Sequence, residues 1–380
     1  MENTQDKKVE YIELIYDLIF VYLIGRSNSL LDRIENGFIS FSTFGNYLLS
    51  SLIILQVWYY TMFFINRFGR NGFAEKFMMF FNMFLLYIMG SNTINGWDQN
   101  YPAYMTAWIL ILLCIALQYG LKLRRQDLDC AKGLIVRTMA IMVLQALLIG
   151  ISIPVYLRTG LPLGQWTVFI GIIAVPALNI KSNASVNFEH LSERVMLYVV
   201  FTFGEMIITV AGYFSDGLTL QTLFFAFISF LTTAGLFFSY GFVYDKLLDR
   251  KRPDTGSLYT LLHVFLILSL SCTTIALDFM RNSEVSALPK TLFLVISLMI
   301  FFICLAFTEH WSVKRIGPRR RFSLIMLAEF AVYAAAMMLS TGSGYALGIT
   351  TVLFIFIQLG TLILSGRYTT DRKEASGHPD

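Results

Sequence analysis

A carboxylate inside an apolar run is the first candidate for chemistry in this sequence. Glu205 lies in a stretch that opens on His190-Leu191-Ser192-Glu193-Arg194 and then stays apolar to Ala211, broken only by Gly204-Glu205. Residues 190–212 read as a membrane-spanning helix with charge at its mouth and one acid well inside. An ionised acid at the bilayer centre costs about 2.5–3.5 kcal/mol on insertion scales. The nine Val, Leu, Ile and Phe residues of the run return roughly 3–5 kcal/mol on the same scale, so the helix inserts while carrying Glu205. Glu205 is twelve residues beyond Glu193, about 18 Å along the helix. Too deep to snorkel, it is either protonated or paired, and Arg26 is the expected partner if the first and seventh helices meet. The chemistry open to it is proton or ion handling; the alternative is a purely structural acid. Gly204 beside it has the size to let another helix approach.

Other charges fall into similar places. Glu13 and Asp17 are spaced i, i+4 and share one face of the first helix. Glu13, at the mouth, also suits a helix N-terminus by offsetting the macrodipole. Asp17, about 6 Å deeper, requires a cation, and Arg67, following Asn66 at the end of the second helix, is the expected one. The bland reading is an ion pair tying helices one and two. Glu193 and Arg194 have an equally bland reading as an interfacial pair that snorkels. His263 suits either a proton relay or hydrogen-bond glue between helices, and Glu329 is a second acid within a span. Glu309-His310, Asp245 and Asp278 fall at span ends. The basic cluster of Lys314, Arg315, Arg319, Arg320 and Arg321 reads as a topology anchor facing anionic lipid.

These residues need helices to hold them in a membrane. The chain has 380 residues, 56% of them hydrophobic and 14% charged, with mean hydropathy +0.63. A soluble domain of this size carries about 25% charged residues. Apolar runs long enough to span occur about twelve times, near 9–31, 44–65, 73–93, 104–121, 134–156, 165–180, 190–212, 219–241, 257–279, 288–308, 322–340 and 345–365. Pro176 lies inside the sixth. The N-terminus lacks a clean h-region and a small-residue cleavage site, so no cleaved signal peptide is expected. Cys114, Cys272 and Cys304 fall in spans and Cys130 in a basic loop; they read as fillers rather than ligands.

Lys and Arg divide 24 to 5 between alternate sets of loops, out of 29 in all. That bias places both termini in the cytoplasm of a multi-pass cell-membrane protein. An offset that drifts only from 179 to 184 sets Glu13 beside Glu193, Asn66-Arg67 near Asp245-Lys246, and Gln145 over Glu329. The expected architecture is therefore all-α, with two parallel six-helix repeats at 1–180 and 181–368 and a disordered cytosolic tail at 369–380.

Three stretches together resemble the bacterial low temperature requirement A (LtrA) family. They are Glu13-Leu14-Ile15-Tyr16-Asp17-Leu18-Ile19-Phe20-Val21, Trp58-Tyr59-Tyr60 leading to Asn66-Arg67-Phe68, and His190-x-x-Glu193-Arg194 with Gly204-Glu205. The match covers about the first 210 residues. Where family members usually carry acidic residues after Asn-Arg-Phe, this chain has Gly69-Arg70-Asn71-Gly72, and it has Arg26-Ser27-Asn28 in place of a Leu-Ser-His. The resemblance implies a multi-spanning membrane protein linked by name to growth in the cold, and implies no substrate.

Two readings of function follow. The first is an ion- or proton-coupled secondary transporter of a small polar or anionic solute, with Glu205 as coupling acid and Asp17, Arg26 and Arg67 in a gated ionic network. The second is a non-transporting scaffold or an intramembrane enzyme acting on lipid headgroups, with Glu13, Asp17, Glu193 and Arg67 as its cytosolic-side cluster. A channel is a third, weakened by the absence of a Gly-rich re-entrant segment. Phosphate loops, His-Glu-x-x-His, Gly-x-Ser-x-Gly and Cys-x-x-Cys are all missing, so no metal or cofactor is expected. The expected partners are the lipid bilayer and a small solute or ion; further copies of the chain stay open, and nucleic acid is not expected.

Overall fold

In lipid, a chain satisfies its backbone N–H and C=O groups within helices or closed barrels, and the apolar runs here all take the first course. A computed structural model describes residues 9–70, 72–93, 97–124, 131–181, 186–312 and 319–376. Lys7, Lys8, Cys130, Lys314 and Arg315 lie outside the described residues, as do the side chains of Arg319, Arg320 and Arg321. Among the described residues twelve α-helices follow in order: α1 (Tyr11–Asn28), α2 (Phe41–Phe68), α3 (Phe73–Thr93), α4 (Trp97–Lys122), α5 (Lys132–Thr159), α6 (Val168–Ile180), α7 (Phe188–Gly212), α8 (Leu220–Phe242), α9 (Ser257–Arg281), α10 (Ala287–Phe307), α11 (Arg319–Leu339) and α12 (Gly344–Ser376). Ten stretches of the described residues are long and apolar enough to cross a membrane; Gly164–Ile180 and Leu324–Leu339 are shorter apolar helices. α12 continues to Ser376, so its last turns fall within the tail expected from residue 369.

The helices pack as two units. The first holds residues 1–33, 39–198 and 253–261, and the second 34–38, 199–252 and 262–380. The division falls inside α7, between Tyr198 and Val199, and the first turns of α9 join the first unit. In the first unit α1 packs on α2 and α3, α4 on α2, α3 and α5, and α6 on α2 and α5. In the second, α12 packs on α8 and α11, and α11 on α10.

The first unit is organised around α2. Its most apolar window is 89% buried, against 33% for α3, so α2 is surrounded by protein and α3 lies at the periphery. Ser40 starts α2 by accepting a hydrogen bond from the Thr43 amide at 3.3 Å. α1 divides by helical period. Ile12, Glu13, Tyr16, Asp17, Phe20, Leu23 and Ile24 are buried, while Tyr11, Ile15, Leu18 and Tyr22 are exposed. The two acids therefore lie on the stripe that faces protein.

Candidate functional site

The start of α7 is fixed by Asn187. Its Oδ1 accepts the His190 amide hydrogen at 3.0 Å, an N-cap bond that satisfies one free donor of the first turn. Asn66, on the last turns of α2, grips the same residue from the side. Its Nδ2 donates to the Asn187 carbonyl at 2.9 Å, and its Oδ1 accepts from the Asn187 amide at 3.1 Å. These bonds set both the height and the rotation of α7, and with them the direction of His190 and Arg194.

Held this way, α7 presents His190 and Arg194 at i, i+4 to Glu13 and Asp17 at i, i+4 on α1, and all four side chains are fully buried. Arg194 takes Asp17 side-on. Nε donates to Oδ2 at 3.0 Å and Nη2 to Oδ1, a bidentate fork suited to guanidinium and carboxylate. Arg194 Nη1 and His190 Nε2 each lie 3.3 Å from Glu13 Oε2. Trp58, on α2, donates its indole N–H to Asp17 Oδ1 at 3.0 Å and packs edge-on against Tyr198 at 4.7 Å.

The hydrogen bonds also assign the imidazole tautomer. Asn187 fixes which end of the Asn66 amide is nitrogen, and that nitrogen lies 3.2 Å from His190 Nδ1. Nδ1 is then the acceptor, so the ring hydrogen is on Nε2, facing Glu13. The quartet thus brings two carboxyl groups against an imidazole and a guanidinium.

Arg67, adjacent in sequence to Asn66 but about 100° round the helix, points elsewhere. Its Nη1 donates to Asn179 Oδ1 on α6 at 2.6 Å, and its guanidinium lies over the Phe63 ring at 5.3 Å. Asp17 is thus matched by Arg194, not Arg67. Nor do Glu193 and Arg194 form the expected interfacial pair, since Arg194 turns fully inward and Glu193 stays half-buried with no ion pair among the described residues. Arg26 is exposed at the end of α1.

Glu205 is half-buried at the edge of the stripe α7 buries, next to exposed Ile207 and Ile208. Among the described residues its carboxylate makes no ion pair or hydrogen bond; its backbone carbonyl accepts from Thr209 at 3.0 Å. The close helix approach expected at Gly204 does not occur, because no described heavy atom lies within 4 Å of where a Cβ would sit. In the second unit, His263 is buried edge-on to Tyr240. Glu329 accepts from Thr361 on α12 at 2.6 Å.

A second polar layer crosses the first unit without charge. Gln145 of α5 donates to Gln56 Oε1 of α2 at 2.9 Å and to the Thr167 carbonyl at 3.1 Å. Gln56 in turn donates to the Val168 carbonyl at the start of α6 at 3.0 Å. This layer closes because Gly171 has no side chain: a Cβ there would fall 1.8 Å from Gln56 Nε2 and 2.0 Å from the Tyr60 hydroxyl. Gly171→Ala is therefore expected to lower stability by about 1–3 kcal/mol through overpacking. Gly204→Ala, with open space around it, is expected to stay within about 0.5 kcal/mol of wild type or gain slightly from helix propensity. Thermal unfolding of both variants in one detergent compares them, and equal midpoints would contradict this account of α6.

Among the described residues no three His, Cys, Asp or Glu side chains form a metal-ligand set. A groove of about 330 Å³ between α3 and α4, lined by Leu85, Ile88, Pro102, Thr106 and Leu110 among others, carries no ionisable side chain. Among the described residues, the buried quartet is where charge converges.

A family model described as bacterial low temperature requirement A protein (LtrA) matches residues 8–357. An uncharacterized protein of Rhizobium meliloti (strain 1021) is 25% identical over 301 residues, covering 73% of this chain and 71% of its own length.

Proposed function

Because the chain belongs to the bacterial low temperature requirement A family and is a multi-pass membrane protein, we propose that it is a proton-coupled secondary transporter of a small polar or anionic solute. It would sit in the cell membrane with both termini cytoplasmic, and its two six-helix repeats would alternate access. The observation that carries the reading is the quartet of Glu13, Asp17, His190 and Arg194, fully buried and linked across α1 and α7.

Net charge in a dry site costs several kcal/mol per ion. A closed state that keeps the quartet dry and a state that admits water to it would therefore bind a proton with different affinity. This difference is what couples a proton to a conformational cycle. His190 and Arg194 approach Glu13, while Asp17, which accepts from Trp58, holds Arg194. Glu205 is about 16 Å along α7 from Arg194, too far for direct proton transfer, so the coupling role falls to Glu13.

Proteoliposomes with pyranine in the lumen, challenged separately with inorganic phosphate and with succinate, test the reading. Wild type is expected to acidify the lumen with one of them. Glu13→Gln, a fixed mimic of the protonated acid, is expected to lose proton-driven uptake at least tenfold while keeping exchange of labelled solute. Proton-driven uptake that survives Glu13→Gln would remove the quartet from the mechanism, and survival there with loss in Glu205→Gln would return the role to Glu205. The alternative of a scaffold or headgroup enzyme would give no flux with any solute and activity losses confined to Asp17 or Glu193 variants.

A further inference from the structure

Among the cations drawn into the first unit, Arg194 is matched by Asp17 and Glu13, Lys122 by Glu75 and Lys76 by Glu10. Arg67 has no carboxylate partner among the described residues. Only its Nη1 is engaged, on Asn179; Nε and Nη2 are buried and have no acceptor among the described residues. Those two atoms form the side-on edge of the guanidinium, the same edge with which Arg194 grips Asp17. An arginine in the last turn of a helix ordinarily snorkels to water or bonds the terminal carbonyls. Arg67 does neither with this edge.

The edge is also held in place. Asn179 Nδ2 donates to the Tyr59 hydroxyl at 3.1 Å, and that hydroxyl donates to Ser257 Oγ at 3.1 Å. Phe63 lies against the guanidinium face. The result is a fixed cation, without a carboxylate partner among the described residues, whose two parallel donors lie among apolar and neutral groups; this arrangement binds carboxylate or phosphate bidentately. We propose that the Nε/Nη2 edge of Arg67 is a binding site for a small oxyanion, the phosphate or carboxylate group of a soluble solute or a lipid headgroup. This inference goes beyond the transport reading, and a binding measurement without any gradient tests it separately.

The full chain is placed in nanodiscs of phosphatidylcholine and its thermal unfolding followed by intrinsic fluorescence. Inorganic phosphate is titrated at constant ionic strength set with chloride. Wild type is expected to gain a few degrees with a saturable dependence, as binding to the native state requires. Arg67→Gln is expected to show no gain, and Arg67→Lys a reduced one because a point charge lacks the fork. Asn179→Asp supplies an internal carboxylate beside Nη1, so it should start with a higher midpoint and not respond. A gain produced by phosphatidylglycerol nanodiscs without phosphate, and lost in Arg67→Gln, assigns the site to lipid headgroups. If Arg67→Gln does not fold, the comparison of wild type with Asn179→Asp decides. Wild type responding to neither probe, or Asn179→Asp responding as wild type does, would overturn the proposal.

Discussion

Arg194→Met is expected to leave little folded protein. The substitution keeps length and apolar volume but strands Glu13 and Asp17, both fully buried on the inward stripe of α1. Breaking a buried pair by removing one partner costs about 3–5 kcal/mol, a large part of a total stability of about 5–15 kcal/mol. The loss should be specific to charge and reversible by charge. Glu13→Gln and Asp17→Asn, added to Arg194→Met, remove the stranded carboxylates, and replacing a whole buried ion set is often neutral or stabilising. The triple variant is therefore expected to recover most of the lost stability and none of the proton coupling. Arg194→Lys should fall between, since it restores the charge without the bidentate grip on Asp17. The fraction of monodisperse protein and the unfolding midpoint in one detergent measure all three against wild type. A single Arg194→Met variant as stable as wild type would mean that the guanidinium does not compensate the two acids.

That Asp17 pairs with Arg194 shows where sequence reasoning reaches and where it stops. Spacing along one helix was legible: Glu13 and Asp17 at i, i+4 do share a face, and that face is the buried one. The helical membrane architecture was legible from composition for the same reason, since apolar runs in lipid have few alternatives. Which helix stands next to α1 is a different kind of fact, because packing partners depend on contacts distant in sequence. Arg67 and Arg194 were equally available as cations. One signal distinguished them: His190 and Arg194 have the same i, i+4 spacing as the two acids, so two parallel helices could match them rung for rung. Asn187, three residues before His190, was an N-cap in plain view. Trp58, Asn179 and Gln56 were harder to find, because a neutral donor in an aromatic or apolar run gives no sign of what it will meet. The surroundings of Glu205 were out of reach for a different reason. Depth along α7 was computable, but the orientation that leaves it half-buried beside Ile207 and Ile208 was not.

Trp58→Ala is expected to be the most damaging change at a residue without charge, and comparison with Trp58→Phe divides its cost into two parts. Trp58 is fully buried, packs edge-on against Tyr198 at 4.7 Å and donates to Asp17 Oδ1 at 3.0 Å. In a soluble core, Trp→Ala costs about 3–5 kcal/mol, part of it from transfer out of water. Inside a membrane that part shrinks, since lipid solvates the ring in the separated helices. What remains is lost packing around the cavity plus a hydrogen bond to an ionised group, the latter about 1.5–3 kcal/mol. Trp58→Ala should then cost about 4 kcal/mol, and Trp58→Phe, which keeps a ring against Tyr198, about 2 kcal/mol. A double-mutant cycle of Trp58→Phe with Asp17→Asn isolates the bond, and a coupling of about 0.5–3 kcal/mol is expected. Additivity within about 0.5 kcal/mol would mean that the indole N–H does not stabilise the carboxylate. Coupling would carry the effect further, because Asp17 holds Arg194 and Arg194 approaches Glu13 at 3.3 Å. A Phe at 58 should then change the external pH at which solute uptake is half-maximal as well as the unfolding midpoint. A purely space-filling Trp58 would leave that pH unchanged.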